Sequence, residues 1–593
     1  LLIFNALALL GVGVWLRCWH LGNIPGCNGD EAWYGVQTWR WLHGGPYFWR
    51  TPTGNPCNIF FFSPLAILEQ IFSPSITVLR SVAVFSGLAA LAINWIMCRW
   101  VFDRRMAFVS TIALAILPID IAYSRFAWDA CQSLAATLIV FYLALAFVRF
   151  PKQNSLWLLL AFCMAVWVHP TNVFLFMAIA ATWLARHLLD SQPSDASGVT
   201  IESGMNAADS AKENATKEIA VQGIAASKNA IAENAIAENT IAENTIAENT
   251  IAENTIAENA IAENAAKMRR KAWRWGILLF VLLGVACGVS KWLHMPMPKQ
   301  IDHPFNNVVE LLHPTQRPSF TILYARLFTG GTIYRHIAGS QSWFEWPLPE
   351  GFDGWGIDVG VFWLALLVSV WLTWRSWEQK RQLVDWTLVV SWFLVLAAFL
   401  FITGTRSMMP GDERYALCLI VPTVLLLSRG ATLAFDAASP RWRTVLAMGS
   451  LGGWLVLADF SEHYFRFMER TGGESHYAFH TAAQEPKEAV LNHVLQQTDG
   501  KETWIICSKW WNYWPIHYLA LAYPQVHVRF SEPLDTIECC TIPTEGDRWY
   551  VEFDDTDDLR QVEASLAGQN TERRLFLDYA GRPFLCVIHA ANP

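Results

Sequence analysis

Apolar runs long enough to cross a bilayer recur along most of this chain, and they constrain its fold more than any other feature. A spanning helix needs about 17–25 predominantly apolar residues, because its backbone rises only about 1.5 Å per residue. About eleven such runs lie near 1–16, 76–98, 106–122, 131–148, 155–169, 171–187, 275–292, 356–374, 384–402, 415–429 and 443–459. Composition agrees, since 53% of the 593 residues are hydrophobic and only 16% are charged, against roughly 25% charged in a soluble globular chain. The 31 Trp suit the membrane interfaces, where indole rings gather. The expected fold is mainly α, a polytopic transmembrane helical bundle with a small C-terminal α/β extramembrane domain.

Basic residues in short loops stay on the cytoplasmic side. Arg99, Arg104 and Arg105, then Arg149 and Lys152, then Arg186 with Lys267, Arg269, Arg270 and Lys271, then Arg375, Lys380 and Arg381, then Arg441 and Arg443 fall in alternate loops. That set is expected inside. Residues 17–75, 124–129, 293–355 and 403–414 then face outward, and an odd number of spans puts the C-terminal residues there as well.

The net charge of −8 belongs to one stretch. Residues 190–265 hold 13 Asp/Glu and 3 Lys, a local net of −10, so the remainder sums to +2. No Lys/Arg cluster is interleaved with aromatics, which argues against nucleic acid as a partner. Within the acidic stretch the pentapeptide Ile-Ala-Glu-Asn-Ala/Thr repeats seven times from Ile231 to Ala265. A five-residue step turns a helix by about 140°, so the Ile side chains spiral round the axis and build no apolar face. The repeat reads as a low-complexity insertion in a tolerant loop, with a partner-binding segment as the alternative.

Twelve cysteines show no C-x-x-C spacing, hence no zinc-ribbon or redox signature. Cys27 and Cys57 share one outer loop and could pair there or stand as separate thiols. The chain opens at Leu1 without Met, so a preceding segment is expected; the opening run lacks the basic start and cleavage site of a signal peptide. After Phe460 the pattern becomes that of a small soluble domain. Strands are expected at 504–508, 526–530, 549–553, 574–579 and 583–588, and helices at 515–522 and 556–566. Four segments follow: a catalytic transmembrane module at 1–187, a cytoplasmic low-complexity loop at 188–270, further transmembrane helices at 271–460, and an extracytoplasmic domain at 461–593. In that last segment the aromatic string Trp510, Trp511, Tyr513 and Trp514 suits either domain packing or stacking on a sugar.

The candidate chemistry gathers on the outer side. Gly29-Asp30-Glu31-Ala32-Trp33-Tyr34-Gly35 places adjacent acids shortly after the first span. Neighbouring carboxylates at an apolar face raise one another's pKa, and a desolvated aspartate is a stronger general base. A plain helix-capping pair is the alternative. Arg125 and Arg414 stand at outer ends of spans and Arg80 lies near one; a guanidinium binds phosphate bidentately and keeps its proton. Each could equally snorkel at the membrane edge, and Asp129 could pair with Arg125 at i,i+4.

Several strings resemble integral-membrane glycosyltransferases of the C superfamily (a GT-C-like fold), most closely protein O-mannosyltransferases and aminoarabinose transferases. They are His20-Leu21-Gly22-Asn23-Ile24-Pro25 with the acidic motif above, Ser63-Pro64-Leu65 with Leu79-Arg80, and Tyr123-Ser124-Arg125-Phe126-Ala127 with Asp129. His169-Pro170-Thr171 and Glu413-Arg414-Tyr415 complete the set. The resemblance implies an inverting sugar transfer from a polyprenyl-phosphate donor to a lipid, protein or glycan acceptor on the outer face, in a bacterial inner membrane. It puts Asp30 in the role of base or acceptor-orienting group, with Glu31 beside it. Arg125, Arg414 and Arg80 are the expected phosphate-binding residues, and Tyr34, Tyr123 and His169 the expected substrate-binding ones. Trp33 stands where aminoarabinose transferases carry a basic residue after their acidic pair, a departure that leaves open how this chain holds the donor phosphate.

A divalent metal is a further expectation, resting on His294, His303, His313 and His336 with Asp302, Glu310, Glu345 and Asp353, although no His-x-x-x-His or Asp-x-Asp spacing supports it. Two rival readings remain. A transporter or flippase of lipid-linked glycans would show repeated sets of spans and broken helices, and neither is legible. An inactive sugar-binding scaffold would find Asp30 dispensable.

Overall fold

The computed structural model describes residues 2–51, 57–150, 155–190, 320–345, 356–380, 382–437, 442–472, 484–531, 547–554, 556–578 and 581–590. The expected span at 275–292, the repeats, and His294, His303, His313, Asp302, Glu310 and Asp353 lie outside the described residues. The others belong almost wholly to one compact unit, Leu1–Ala185 with Pro296–Pro593; of the second, Arg186–Met295, only the end of one helix is described.

Helices stand wherever a span was expected within the described residues. They begin with α1 (Leu2–Cys18), α2 (Gly29–Leu42), α3 (Ile59–Ile71), α4 (Ile76–Val101), α5 (Arg104–Ala115), α6 (Pro118–Tyr123), α7 (Ser133–Arg149), α8 (Ser155–Val168) and α9 (Phe176–Asp190). Ile357–Lys380, Leu383–Thr403, Ile420–Ala437 and Trp442–Phe460 follow. Among the described residues five helical stretches are long and apolar enough to cross a membrane by length and composition: α4, Ala130–Arg149, Ile357–Lys380, Leu383–Thr403 and Glu413–Asp436. The run expected as one helix at 106–122 is broken, because Pro118 lacks an N–H and opens α6 instead of continuing α5. Likewise Pro170 opens a short 3-10 turn before α9. The helices α2 and α3 and the helix Phe320–Thr329 lie between the expected spans.

On Ile357–Lys380, Val361, Leu364, Val368 and Trp371 are 60%, 65%, 44% and 56% exposed and follow one another at helical spacing. A stripe like this faces lipid, since water does not tolerate such contiguous apolar surface. Together with the five apolar helices it makes the chain an integral membrane protein. Inside, the Asn94 side-chain amide donates to Ser110 Oγ and Thr111 Oγ1, both at 2.9 Å, and Tyr142 donates to Asn94 Oδ1 at 2.7 Å. This polar knot ties α4, α5 and α7 where apolar burial alone gives helices little reason to associate.

The C-terminal domain is a five-stranded mixed sheet, β1 (Thr503–Cys507), β2 (Val526–Phe530), β3 (Asp547–Phe553), β4 (Thr571–Leu577) and β5 (Pro583–Ala590), in the order β2-β1-β3-β5-β4. Strand β1 pairs in parallel with β2 and β3, and β5 antiparallel with β3 and β4. The parallel pairing of β1 with β2 requires a crossover, and Trp510–Ala520 supplies it. That helix packs on α2 of the membrane part, which brings the domain onto the acidic motif.

Candidate active site

The loop between α1 and α2 has little regular structure, so its carbonyls need partners from elsewhere. Buried arginines supply them. Arg80 uses all five donors: Nε and Nη2 on Glu31 at 3.0 and 2.7 Å, Nη1 on Leu21 O and Pro25 O at 3.0 and 2.7 Å, and Nη2 also on Gly26 O at 3.1 Å. Arg125 donates to Leu16 O at 2.6 Å and to His20 O and Ile24 O, and its guanidinium lies 4.8 Å from the centre of the Phe465 ring. Arg17 reaches Asp120 at 2.6 Å and the carbonyls of Gly13, Leu114 and Ala115.

The clamp delivers α2 in a fixed pose. Asn28 caps it, accepting from the Asp30 N–H at 2.7 Å, while Glu31 accepts from the Asn28 N–H at 3.1 Å and closes a capping box. Glu31 also accepts the Ala127 N–H at 2.7 Å. Its oxygens are therefore saturated, and it is fully buried against Arg80. The capping alternative thus describes Glu31 in part, although it is buried and not solvated. The Asn-x-x-Glu pattern at 28–31 was the signal for it.

Asp30 is placed differently. It is half-buried; its Oδ1 accepts from the Trp510 indole at 3.1 Å, and Oδ2 has no hydrogen bond among the described residues. Burial pushes its carboxyl above the ordinary aspartate range, while Arg414 and the Trp510 N–H pull it back. Arg414 is close enough to act on it electrostatically, yet no ion pair joins them among the described residues. Of its five N–H donors, Arg414 spends one among the described residues, on Tyr415 Oη at 3.2 Å. The guanidinium lies 5.1 Å from the centre of the Trp128 ring and 5.0 Å from that of Tyr415.

Around Arg414 a buried network forms. Glu413 accepts from His336 Nδ1 at 2.6 Å, from the Tyr123 hydroxyl at 3.1 Å and from the Gly411 N–H at 2.6 Å. The Tyr123 ring stacks along Trp128 with centroids 6.4 Å apart. His169 shares a 2.7 Å hydrogen bond with Thr171 and its ring lies 6.0 Å from Tyr415. Tyr34 sits apart, in an aromatic cluster with Trp33, Phe61 and Phe62.

The structure thus brings Asp30, Tyr123 and His169 within electrostatic reach of Arg414, while Arg80, Arg125 and Glu31 hold the loop. Glu413 stood in a matched string without being expected as a site residue, Trp128 was not singled out at all, and His336 was expected only as a metal ligand. His336 is spent on Glu413. Glu345 pairs instead with Arg335 at 2.6 Å. No group of three or more potential ligands able to hold a metal occurs among the described residues. Cys27 and Cys57 are buried thiols.

No protein-family model matches the chain, and no curated protein matches it. Among solved structures, it is similar to ArnT from Cupriavidus metallidurans in the apo state, at 13% identity and a TM-score of 0.44, covering 98% of this chain and 97% of that one. The same protein bound to undecaprenyl phosphate gives 12% identity and a TM-score of 0.44, covering 99% and 97%. The Archaeoglobus fulgidus oligosaccharyltransferase complex with Zn and sulfate gives 14% identity and a TM-score of 0.45, covering 88% of this chain and 62% of that one. Similarity at this level bears on neither activity nor site.

Proposed function

We propose that this chain is a membrane glycosyltransferase that moves a sugar from a polyprenyl-phosphate donor to a hydroxyl-bearing acceptor with inversion at the anomeric carbon. One observation carries the reading: among the described residues Asp30 has one oxygen held and the other open, and Arg414, near enough to act on it electrostatically, has most of its donors unspent with no ion pair joining the two. A partly buried carboxylate and guanidinium left unjoined form a site for a group that comes between them. Arg414 would meet the phosphate, a bidentate target for its planar fork, with Trp128 and Tyr415 holding the guanidinium in place. Asp30 Oδ2 would accept the acceptor's hydroxyl proton.

In the transfer step the acceptor oxygen forms a bond to the anomeric carbon as the bond from that carbon to the phosphate oxygen breaks. The electron pair leaves with the polyprenyl phosphate, and the proton passes to Asp30 and then to water. The chain supplies a general base and a stabilised leaving group, which is what a displacement of this kind requires. Glu31, Arg80 and Arg125 act through the loop they hold.

The test uses the full chain in lipid nanodiscs with a panel of undecaprenyl-phosphate hexoses and pentoses, following release of undecaprenyl phosphate. Asp30→Asn should abolish release while leaving donor binding in place. Wild-type turnover by that variant would remove the reading and favour a carrier, which needs no base beside the sugar.

A further inference from the structure

The two oxygens of Asp30 owe their difference to a residue 480 positions away. Trp510, whose indole donates to Oδ1 at 3.1 Å, opens the helix Trp510–Ala520 of the C-terminal domain. Its ring is set over Gly29: a Cβ there would stand 2.6 Å from Trp510 Cδ1. At the far end of the same helix a Cβ on Gly35 would stand 2.3 Å from Tyr518 Cε2. Two glycines on α2 therefore let the helices approach closely at both ends. The Tyr518 hydroxyl donates to Glu69 Oε1 at 3.1 Å, and Lys487, also of the C-terminal domain, donates to Cys27 O at 3.1 Å. Trp514 packs edge-on against Trp510 with centroids 5.3 Å apart.

We propose that Trp510 is a positioning residue, whose fixed indole N–H holds Asp30 Oδ1 and turns Oδ2 toward the acceptor, so that the C-terminal domain completes the active site. A carboxylate rotates through a broad, two-fold torsional well, so a free Asp30 would present its oxygens in many directions. One donor from a rigid ring removes that freedom, and reaction rates depend steeply on such alignment. An indole suits the task because it only donates and its large face is locked by the glycine seat. The charge it sees must be negative: the same N–H stabilises the ionised carboxylate against the cost of its burial.

This inference rests on Asp30 as the base, so its test separates the two. Trp510→Phe keeps a ring over Gly29 and removes the N–H. The base works ionised, and turnover falls as pH drops through its pKa; losing the N–H raises that pKa, so the acid limb of the pH–rate profile should move to higher pH. Maximal turnover should also fall roughly tenfold, about the loss of one hydrogen bond to a charged group. Gly29→Ala, which displaces the ring and leaves both polar groups intact, should move the limb the same way. Tyr518→Phe, which weakens docking at the far end, should leave it in place. An unshifted limb in both Trp510→Phe and Gly29→Ala, with Asp30→Asn inactive, overturns the inference and spares the proposed function. Wild-type turnover by Asp30→Asn overturns both. An infrared titration of the carboxyl band that Asp30→Asn removes should show the same upward shift without substrate.

Discussion

Two neighbouring regions of the molecule use the same residue types to opposite ends. In the loop clamp, Glu31 and Arg80 are buried with their acceptors and donors engaged by one another, by backbone N–H groups and by loop carbonyls, and buried Arg125 is held on the carbonyls of Leu16, His20 and Ile24. Across α2, Asp30 keeps one oxygen open and Arg414 keeps most of its N–H groups. A saturated charge has nothing left to offer a ligand, whereas breaking it up leaves its partner buried and unpaired. An unsaturated charge close to an opposite one has its capacity in reserve. Saturation, and not residue type, therefore separates the groups that hold this site from those proposed to work in it.

The sharpest way to break that comparison is to attack the clamp. Arg80→Met should destabilise the folded protein by about 3–5 kcal/mol, the usual cost of leaving a buried charge without its partner, read as a fall in melting temperature in detergent. Asp30→Asn should barely move that temperature, yet lower transfer by about a hundredfold or more, the usual contribution of a general base. If Arg80→Met folds normally and only weakens donor binding, the division between the two regions fails.

Arg414→Lys sharpens the comparison on the other side. A point charge replaces a fork, so affinity for undecaprenyl phosphate should drop about tenfold while the melting temperature holds. Arg125→Lys should show the reverse, losing stability before affinity, because its guanidinium serves three carbonyls. The smallest effect is expected from deleting residues 195–265. That stretch carries no apolar face by sequence, so melting temperature and transfer should stay near wild type; lost activity at normal expression would show that the repeats serve the reaction.

Much of this was legible in residue order. Apolar run lengths placed the helices because a bilayer demands uninterrupted segments, and short apolar stretches placed the five strands to within a few residues. Asp30 could be picked out as a candidate base and Arg414 as a candidate phosphate-binding group, but only alongside Glu31, Arg125 and Arg80. The breaks at Pro118 and Pro170 were also in principle readable, since proline cannot continue a preceding helix.

What the sequence determined by itself, then, is a membrane helix bundle with a small α/β domain and a set of charged candidates. Tertiary structure alone decided which candidates were already spent. Arg125 meets Leu16 across 109 positions, Arg80 meets Pro25 across 55, and Trp510 meets Asp30 across 480. Run lengths and alternation are local properties that any short window reveals. Saturation of a hydrogen-bonding group depends on which distant carbonyls and rings the fold brings within about 3 Å of it, and no local pattern in the chain encodes that.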